Sequence, residues 1–304
     1  MNNDPSFVVV GDVHIREDAP VSRTDNVLET ICSKLAWVVD YTNKNADALI
    51  FLGDLGERPI WSSRLVNRTC KILEECTKPM YTLIGNHDIK NYNKDYELWE
   101  DTGLYRVTQN TNLKVLRNEY FGPFHFYGFS TVDDDLEDFV NGKFVPDLDD
   151  LCYPVSFAHY PVGNYESQWM RDHKKLRIPY FTYQFYGDIH DGFEPCHLQD
   201  YNTIVANPGA LFRKSKAEIG RKIQVYHVNS KQITKVPVPH KKGTEVFVET
   251  LAGLRNVEIP EYMDDELVDP GDMSKTIYNI AQELKVSKEA TEYVLKRYQE
   301  QRHN

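Results

Sequence analysis

Three short apolar runs, each discharging into a glycine-containing polar turn, constrain this chain more than any other feature. Phe7–Val10 runs into Gly11-Asp12, Ala48–Leu52 into Gly53-Asp54, and Met80–Ile84 into Gly85-Asn86-His87-Asp88. Apolar runs without alternation predict strands buried on both faces. The residues between them keep helical spacing. Val27, Leu28, Ile31, Leu35, Val38 and Val39 predict a helix over Ser22–Asn45, with Ser22 or Thr24 as its cap, and Leu65, Ile72 and Leu73 predict another over Arg64–Cys76, stopped by Pro79. Strands alternating with helices imply βαβ units, a parallel sheet and ligands at the carboxyl ends of the strands.

Beyond Asp101 the pattern turns strand-rich, with Leu113–Leu116, Phe124–Phe129, Val155–Ala158, Tyr183–Tyr186, Thr203–Ala206 and Lys222–Val228 as expected strands. The acids Asp133, Asp134, Asp135, Glu137 and Asp138 read as a solvated loop, because successive carboxylates without fixed geometry make a poor ion site. At about 100–200 residues per domain, 304 residues allow one large domain with an appendage. The expected division is a main domain over 1–243, an acidic linker over 244–272 and a helical hairpin over 273–304. The linker carries Glu258, Glu261, Asp264, Asp265, Glu266, Asp269 and Asp272 with Pro260 and Pro270. The hairpin is read from Ser274–Lys285 and Ser287–Gln301, each opening on a serine that can cap it. Two such helices bury little alone, so they must dock on the main domain or on a partner; a helix-turn-helix contact to DNA is the third reading.

The 35 basic and 46 acidic residues leave a formal charge of −11, which excludes a basic coat for nucleic acid but not a local basic stripe or metal-reversed field. Cys32, Cys70, Cys76, Cys152 and Cys196 form an odd set without a C-x-x-C pair, which argues against a disulfide framework and for a reducing, cytoplasmic setting. Neither a membrane span nor a signal peptide is expected.

The strand ends supply the chemistry. Asp12-Val13-His14, Gly53-Asp54, Gly85-Asn86-His87-Asp88, His159 and Gly187-Asp188-Ile189-His190 follow one another in order, each after an expected strand. Carboxylate, imidazole and amide donors without thiolates suit divalent manganese, iron or zinc in a catalytic role. Singly each piece is a common turn or a structural histidine; the ordered set is not. It resembles the calcineurin-like metallophosphoesterase superfamily, whose pattern is D-x-H, G-D-x-x, G-N-H-[DE], H and G-H-x-H, over roughly residues 6–240.

The resemblance implies an α/β fold, a β-sandwich flanked by helices, with two metal ions at the strand ends. Asp12, His14 and His190 would hold the first ion, Asp54 would bridge, and Asn86, His159 and residue 188 would hold the second. Water activated between the ions would attack phosphorus. His87 would contact the phosphate and protonate the leaving oxygen, with Asp88 orienting it. Two positions depart from the pattern. Asp188 stands where the superfamily usually has histidine: as a ligand it would favour manganese over zinc, and if too short it would leave the second site weak. Glu57, three residues after Asp54, stands where the DNA-nuclease branch often has histidine.

Two features resemble the SbcD-type DNA-repair nuclease branch, known from bacteria and phage. One is Asn207-Pro208-Gly209-Ala210-Leu211-Phe212-Arg213, close to a P-G-S-L-x-R segment, in which Arg213 would pair with a backbone phosphate. The other is the terminal hairpin, similar to the segment that grips the coiled coil of an SbcC-like ATPase. The DNA-capping domain of full-size relatives has no room here. The expected function is therefore a manganese-dependent phosphodiesterase acting on DNA, with the ATPase as partner and a homodimer allowed. A cyclic-nucleotide phosphodiesterase or protein phosphatase of the same superfamily is the enzymatic alternative. An interaction protein whose site is crippled by Asp188 is the third reading.

Overall fold

The apolar runs become strands in the computed structural model, which describes residues 4–20, 22–90, 99–147 and 152–247. In chain order the first elements are β1 (Phe7–Val10), α1 (Val27–Asn45), β2 (Ala48–Phe51), α2 (Ser63–Leu73), β3 (Met80–Thr82), α3 (Gly103–Asn110) and β4 (Leu113–Val115). Then come β5 (Asn118–Phe121), β6 (Phe124–Phe129), α4 (Asp135–Val140), β7 (Tyr153–His159), β8 (Val162–Gly163), β9 (Arg171–Asp172) and β10 (Tyr183–Gly187). The remainder are β11 (Phe193–Leu198), β12 (Thr203–Asn207), β13 (Gln224–Val228), β14 (Ile233–Pro237) and α5 (Gly243–Val246).

Two mixed six-stranded sheets result, ordered β14-β13-β1-β2-β3-β4 and β11-β12-β10-β7-β6-β5. The strands β1 to β4 run parallel in the first, and β12, β10, β7 and β6 run parallel in the second. Antiparallel strands close one flank of the first sheet and both flanks of the second. The expected parallel sheet is thus the centre of each mixed sheet. The period-2 rule explains why β1 and β2 are apolar throughout. Phe7, Val9, Ala48, Ile50 and Leu52 face Phe124, Phe126, Phe157 and Phe185 of the other sheet, while Val8, Val10, Leu49 and Phe51 pack under the helices. The architecture is mixed α/β, a two-sheet sandwich flanked by helices.

Phe7 stands at the middle of the inter-sheet core, fully buried, with edge-on contacts to Phe124, Phe126, Phe157 and Phe185. Phe7→Ala is expected to cost about 3–5 kcal/mol of unfolding free energy, measured by denaturant titration. A cost below about 1 kcal/mol would show that the two sheets can close over the gap.

Several expectations are corrected. The first helix starts at Val27, not Ser22, because Asn26 is the cap and accepts the Glu29 N–H at 3.2 Å. Arg23 instead forms a bridge with Phe247 and pairs with Asp25. The acidic run is not a loop. Asp133 accepts the Ser130 N–H and pairs with Arg117, and α4 follows, burying Leu136, Phe139 and Val140. Its acids fall in the first turn, where the helix dipole favours them. The edge strands β5 and β14 went unpredicted because each is half solvated and carries no continuous apolar run. No described helix is long and apolar enough to cross a membrane. Most of the expected linker and the whole hairpin, from residue 248 onward, lie outside the described residues.

Candidate metal centre

Parallel strands from both sheets end at one edge of the sandwich, and the polar stops converge there. Small residues let the ends approach. A Cβ on Gly85 would lie 2.1 Å from Asp54 Oδ1, and one on Gly187 would lie 2.5 Å from the Leu52 carbonyl oxygen. Neither place admits a side chain. The backbone is also strained here. His14, Asp54 and Asp188 have φ of +49°, +47° and +80°, in the left-handed region that non-glycine residues rarely adopt. Such strain persists only where surrounding contacts enforce it, and it gathers at functional sites. Here the enforcing contacts include the Val13 and His14 N–H groups, which both donate to the Asp54 carbonyl, at 3.1 and 3.0 Å.

Two of the three donor clusters among the described residues gather the expected ligands; the third joins His14, Glu57 and His87. Asp12, His14 and His190 offer ligand atoms within 4.8 Å of one another, as do Asp54, His159 and Asp188. In the first, the Nε2 atoms of His14 and His190 face each other at 2.9 Å, with Asp54 Oδ2 3.8 Å from one and Asp12 Oδ2 3.8 Å from the other. In the second, His159 donates Nδ1–H to the Leu52 carbonyl at 2.7 Å. Its Nε2 stands 2.8 Å from Asn86 Oδ1, 3.5 Å from Asp54 Oδ1 and 3.9 Å from Asp188 Oδ1. Asp54 belongs to the second and also comes within 3.8 Å of His14 Nε2 in the first.

The donor set fits divalent cations. The His14 and His190 Nδ1 atoms each face a carboxylate at 3.2 Å, Glu57 and Glu218 respectively. With Nδ1–H directed there, both Nε2 lone pairs and two carboxylates converge on one point, an arrangement that repels itself unless positive charge stands among them. The titration behaviour of the second cluster agrees. Burial opposes charge on His159, yet Asp54, Asp12 and Asp188 raise its pKa well above the usual range. Burial likewise opposes ionisation of Asp54, but His159, then His14 and His87, hold its carboxyl well below the usual range. Asp12, His14, His190 and Asp54 would hold one ion, and Asp54, Asn86, His159 and Asp188 a second. Oxygen and imidazole donors suit manganese, iron or zinc.

Asp188 is short but reaches the second cluster. Burial raises its pKa, against the pull of His159. Asp188→His is expected to move metal preference from manganese towards zinc, read by competitive titration of the two ions. An unchanged preference would place Asp188 outside the coordination sphere.

His87 lies beside the first cluster, its ring edge-on to His14 with centroids 4.9 Å apart, and its Nδ1 is 2.8 Å from the Glu57 carbonyl oxygen. Two expected roles are corrected. Asp88 does not orient His87: it is buried beneath the centre, accepts the Gly85 and Gly56 N–H groups at 3.0 Å each, and so ties two ligand-bearing turns together. Arg213 does not face a phosphate. It is buried, and its guanidinium donates to the carbonyls of Ile219 and Lys241. The segment it ends does floor the site: Leu211 N–H donates to the Asp12 carbonyl at 2.8 Å and Ala210 N–H to that of His190 at 3.0 Å.

Glu57 was legible only as a departure from a pattern, and Glu218 carried no sequence signal at all. His125, His173, His197, His227 and His240 make their contacts elsewhere.

A two-sheet sandwich with oxygen and nitrogen donors gathered at the ends of its parallel strands is the frame of a metal-dependent enzyme. The calcineurin-like phosphoesterase family model matches residues 5–193, more than half of the chain, and the protein belongs to that family of metal-dependent hydrolases. No curated protein sequence matches the chain. Among solved structures, one is 14% identical over 78% of this chain and 100% of its own, with a TM-score of 0.44. Another, a dimetal phosphatase from Danio rerio, is 11% identical over 79% of this chain and 98% of its own, with a TM-score of 0.47.

Proposed function

We propose that the protein is a two-metal phosphodiesterase that hydrolyses DNA and works best with manganese. The observation that carries the phosphodiester chemistry is the pair of donor clusters, both reached by Asp54, with the His87 imidazole beside them. When bound, the two ions supply Lewis-acid stabilisation of the phosphoryl oxygens and acidify water. The chain's own residues do the rest. Asp54 and the strand ends fix the spacing of the donors. The Glu57 carbonyl holds His87 by its Nδ1, leaving Nε2 to meet the leaving oxygen and protonate it.

A polymeric substrate is supported by the surroundings of the floor segment. Arg213 holds the Lys241 carbonyl, with Lys242 next in the chain, and Lys216 opens the turn that follows Arg213. Basic residues brought near one another in a chain whose net charge is −11 are suited to a phosphate backbone. Residues 273–304 are proposed, on sequence alone, as the docking element for a coiled-coil ATPase.

The test is hydrolysis of end-labelled single- and double-stranded DNA in manganese, beside bis-p-nitrophenyl phosphate and p-nitrophenyl phosphate. DNA cleavage that is absent from the Asp54→Asn variant supports the proposal. Turnover of the model diester without DNA would move the substrate to a small phosphodiester such as a cyclic nucleotide. Preference for the monoester would make the protein a phosphatase.

A further inference from the structure

Behind the first donor cluster stand two carboxylates from segments far apart in sequence. Glu57, on the turn after Asp54, places Oε2 3.2 Å from His14 Nδ1. Both atoms are buried and neither makes a hydrogen bond, so this 3.2 Å approach is the polar contact that each has. Glu218, on a single 3₁₀ turn at Lys216–Glu218, places Oε1 3.2 Å from His190 Nδ1. The two arrangements have the same layout, imidazole Nε2 towards the cluster and Nδ1 towards a buried glutamate, with a hydrogen bond formed at His190 and a close approach at His14.

Lys214 joins them. Its ammonium sits 2.6 Å from Glu57 Oε1, and its backbone N–H donates to Glu218 Oε2. Arg16 adds a second cation to Glu57 at 2.9 Å, and Arg221 lies 3.9 Å from Glu218. Each carboxylate therefore faces an imidazole on one side and a cation on the other. These contacts also argue against Glu57 being a metal ligand itself, although it lies within reach of His14 and His87, because its oxygens already face an imidazole and two cations.

We propose that Glu57 and Glu218 are positioning residues which fix His14 and His190 as Nδ1–H tautomers with Nε2 presented to the first metal. The proposal rests on the two-cluster reading of the centre. Carboxylates that hold a ligating imidazole by its second nitrogen orient the ring and raise its basicity, and their loss weakens metal binding by about 10–100-fold.

The experiment measures two things in full-length protein: histidine ¹⁵N shifts in the metal-free state above the histidine titration, and Mn2+ binding by calorimetry. Glu57→Ala should release the tautomer of His14 alone and Glu218→Ala that of His190 alone. Each should weaken one of the two sites by about 10–100-fold with unchanged stoichiometry at saturation. Glu57→Gln, isosteric and still an acceptor, should keep the Nδ1–H tautomer and lose less affinity than Glu57→Ala. This variant preserves the test should Glu57→Ala fail to fold. Unchanged tautomers, affinities within about twofold of wild type, or one fewer ion bound to Glu57→Ala would each overturn the proposal. The tautomer measurement needs no metal, so wild-type protein that binds no Mn2+ would overturn the reading of the centre while the shifts still decide whether these glutamates position the rings.

Discussion

Asp54→Asn is expected to bring phosphodiester turnover to background, a loss of about 10³-fold or more. Asp54 is the side chain that reaches both clusters, with Oδ2 3.8 Å from His14 Nε2 and Oδ1 3.5 Å from His159 Nε2. The asparagine keeps Oδ1, which accepts the His87 N–H at 2.8 Å, so the turn after β3 stays in place. What changes is the other atom. An amide nitrogen would direct N–H groups at a point that calls for an electron-pair donor, and the negative charge between the clusters would be gone. Losing several kcal/mol of charge stabilisation, at 1.36 kcal/mol for each factor of ten, gives a loss of roughly that size. Calorimetry should show one ion lost or much weakened, with an unchanged melting temperature. Full activity at high metal concentration would rule out a shared carboxylate and with it the two-metal scheme.

His87→Ala is expected to leave ion stoichiometry intact and lower kcat by about 10²–10⁴-fold, the usual contribution of a positioned acid or base. The imidazole is half-buried, packed edge-on against His14 and held by the Glu57 carbonyl, so it can point a proton towards the centre without joining it. A substrate whose leaving group needs no protonation, such as p-nitrophenolate, should suffer less than DNA from the same substitution. If titration instead shows an ion lost, His87 is a ligand and the proton donor lies elsewhere.

The core of the site and of the fold was legible because burial on both faces imposes continuous apolar runs, and a turn at the end of such a run leaves its mark in glycine and polar residues. Phe7–Val10, Ala48–Leu52 and Met80–Ile84 announced their strands and the donors after them. The edge strands β5 and β14 announced nothing, since a half-solvated strand tolerates polar residues. Arg213 shows the limit on the other side: its motif was readable, but its direction was not. Its guanidinium turns inward to the Ile219 and Lys241 carbonyls, an outcome set by a turn six residues later and a loop 28 residues away.

By itself the sequence determined where the central strands lie and which donor types follow them, because these rest on local patterns of burial and on side-chain chemistry; the phosphoesterase reading came from their resemblance to the calcineurin-like pattern. Only the tertiary structure decided that Asp88 braces two turns, that Arg213 supports the floor rather than a substrate, and that Glu57 and Glu218 stand behind the histidines. Those roles depend on distances between segments remote in the chain: His14 meets Glu57 across two strands, and His190 meets Glu218 across 28 residues. No local pattern encodes such a meeting, because the packing of the two sheets sets it.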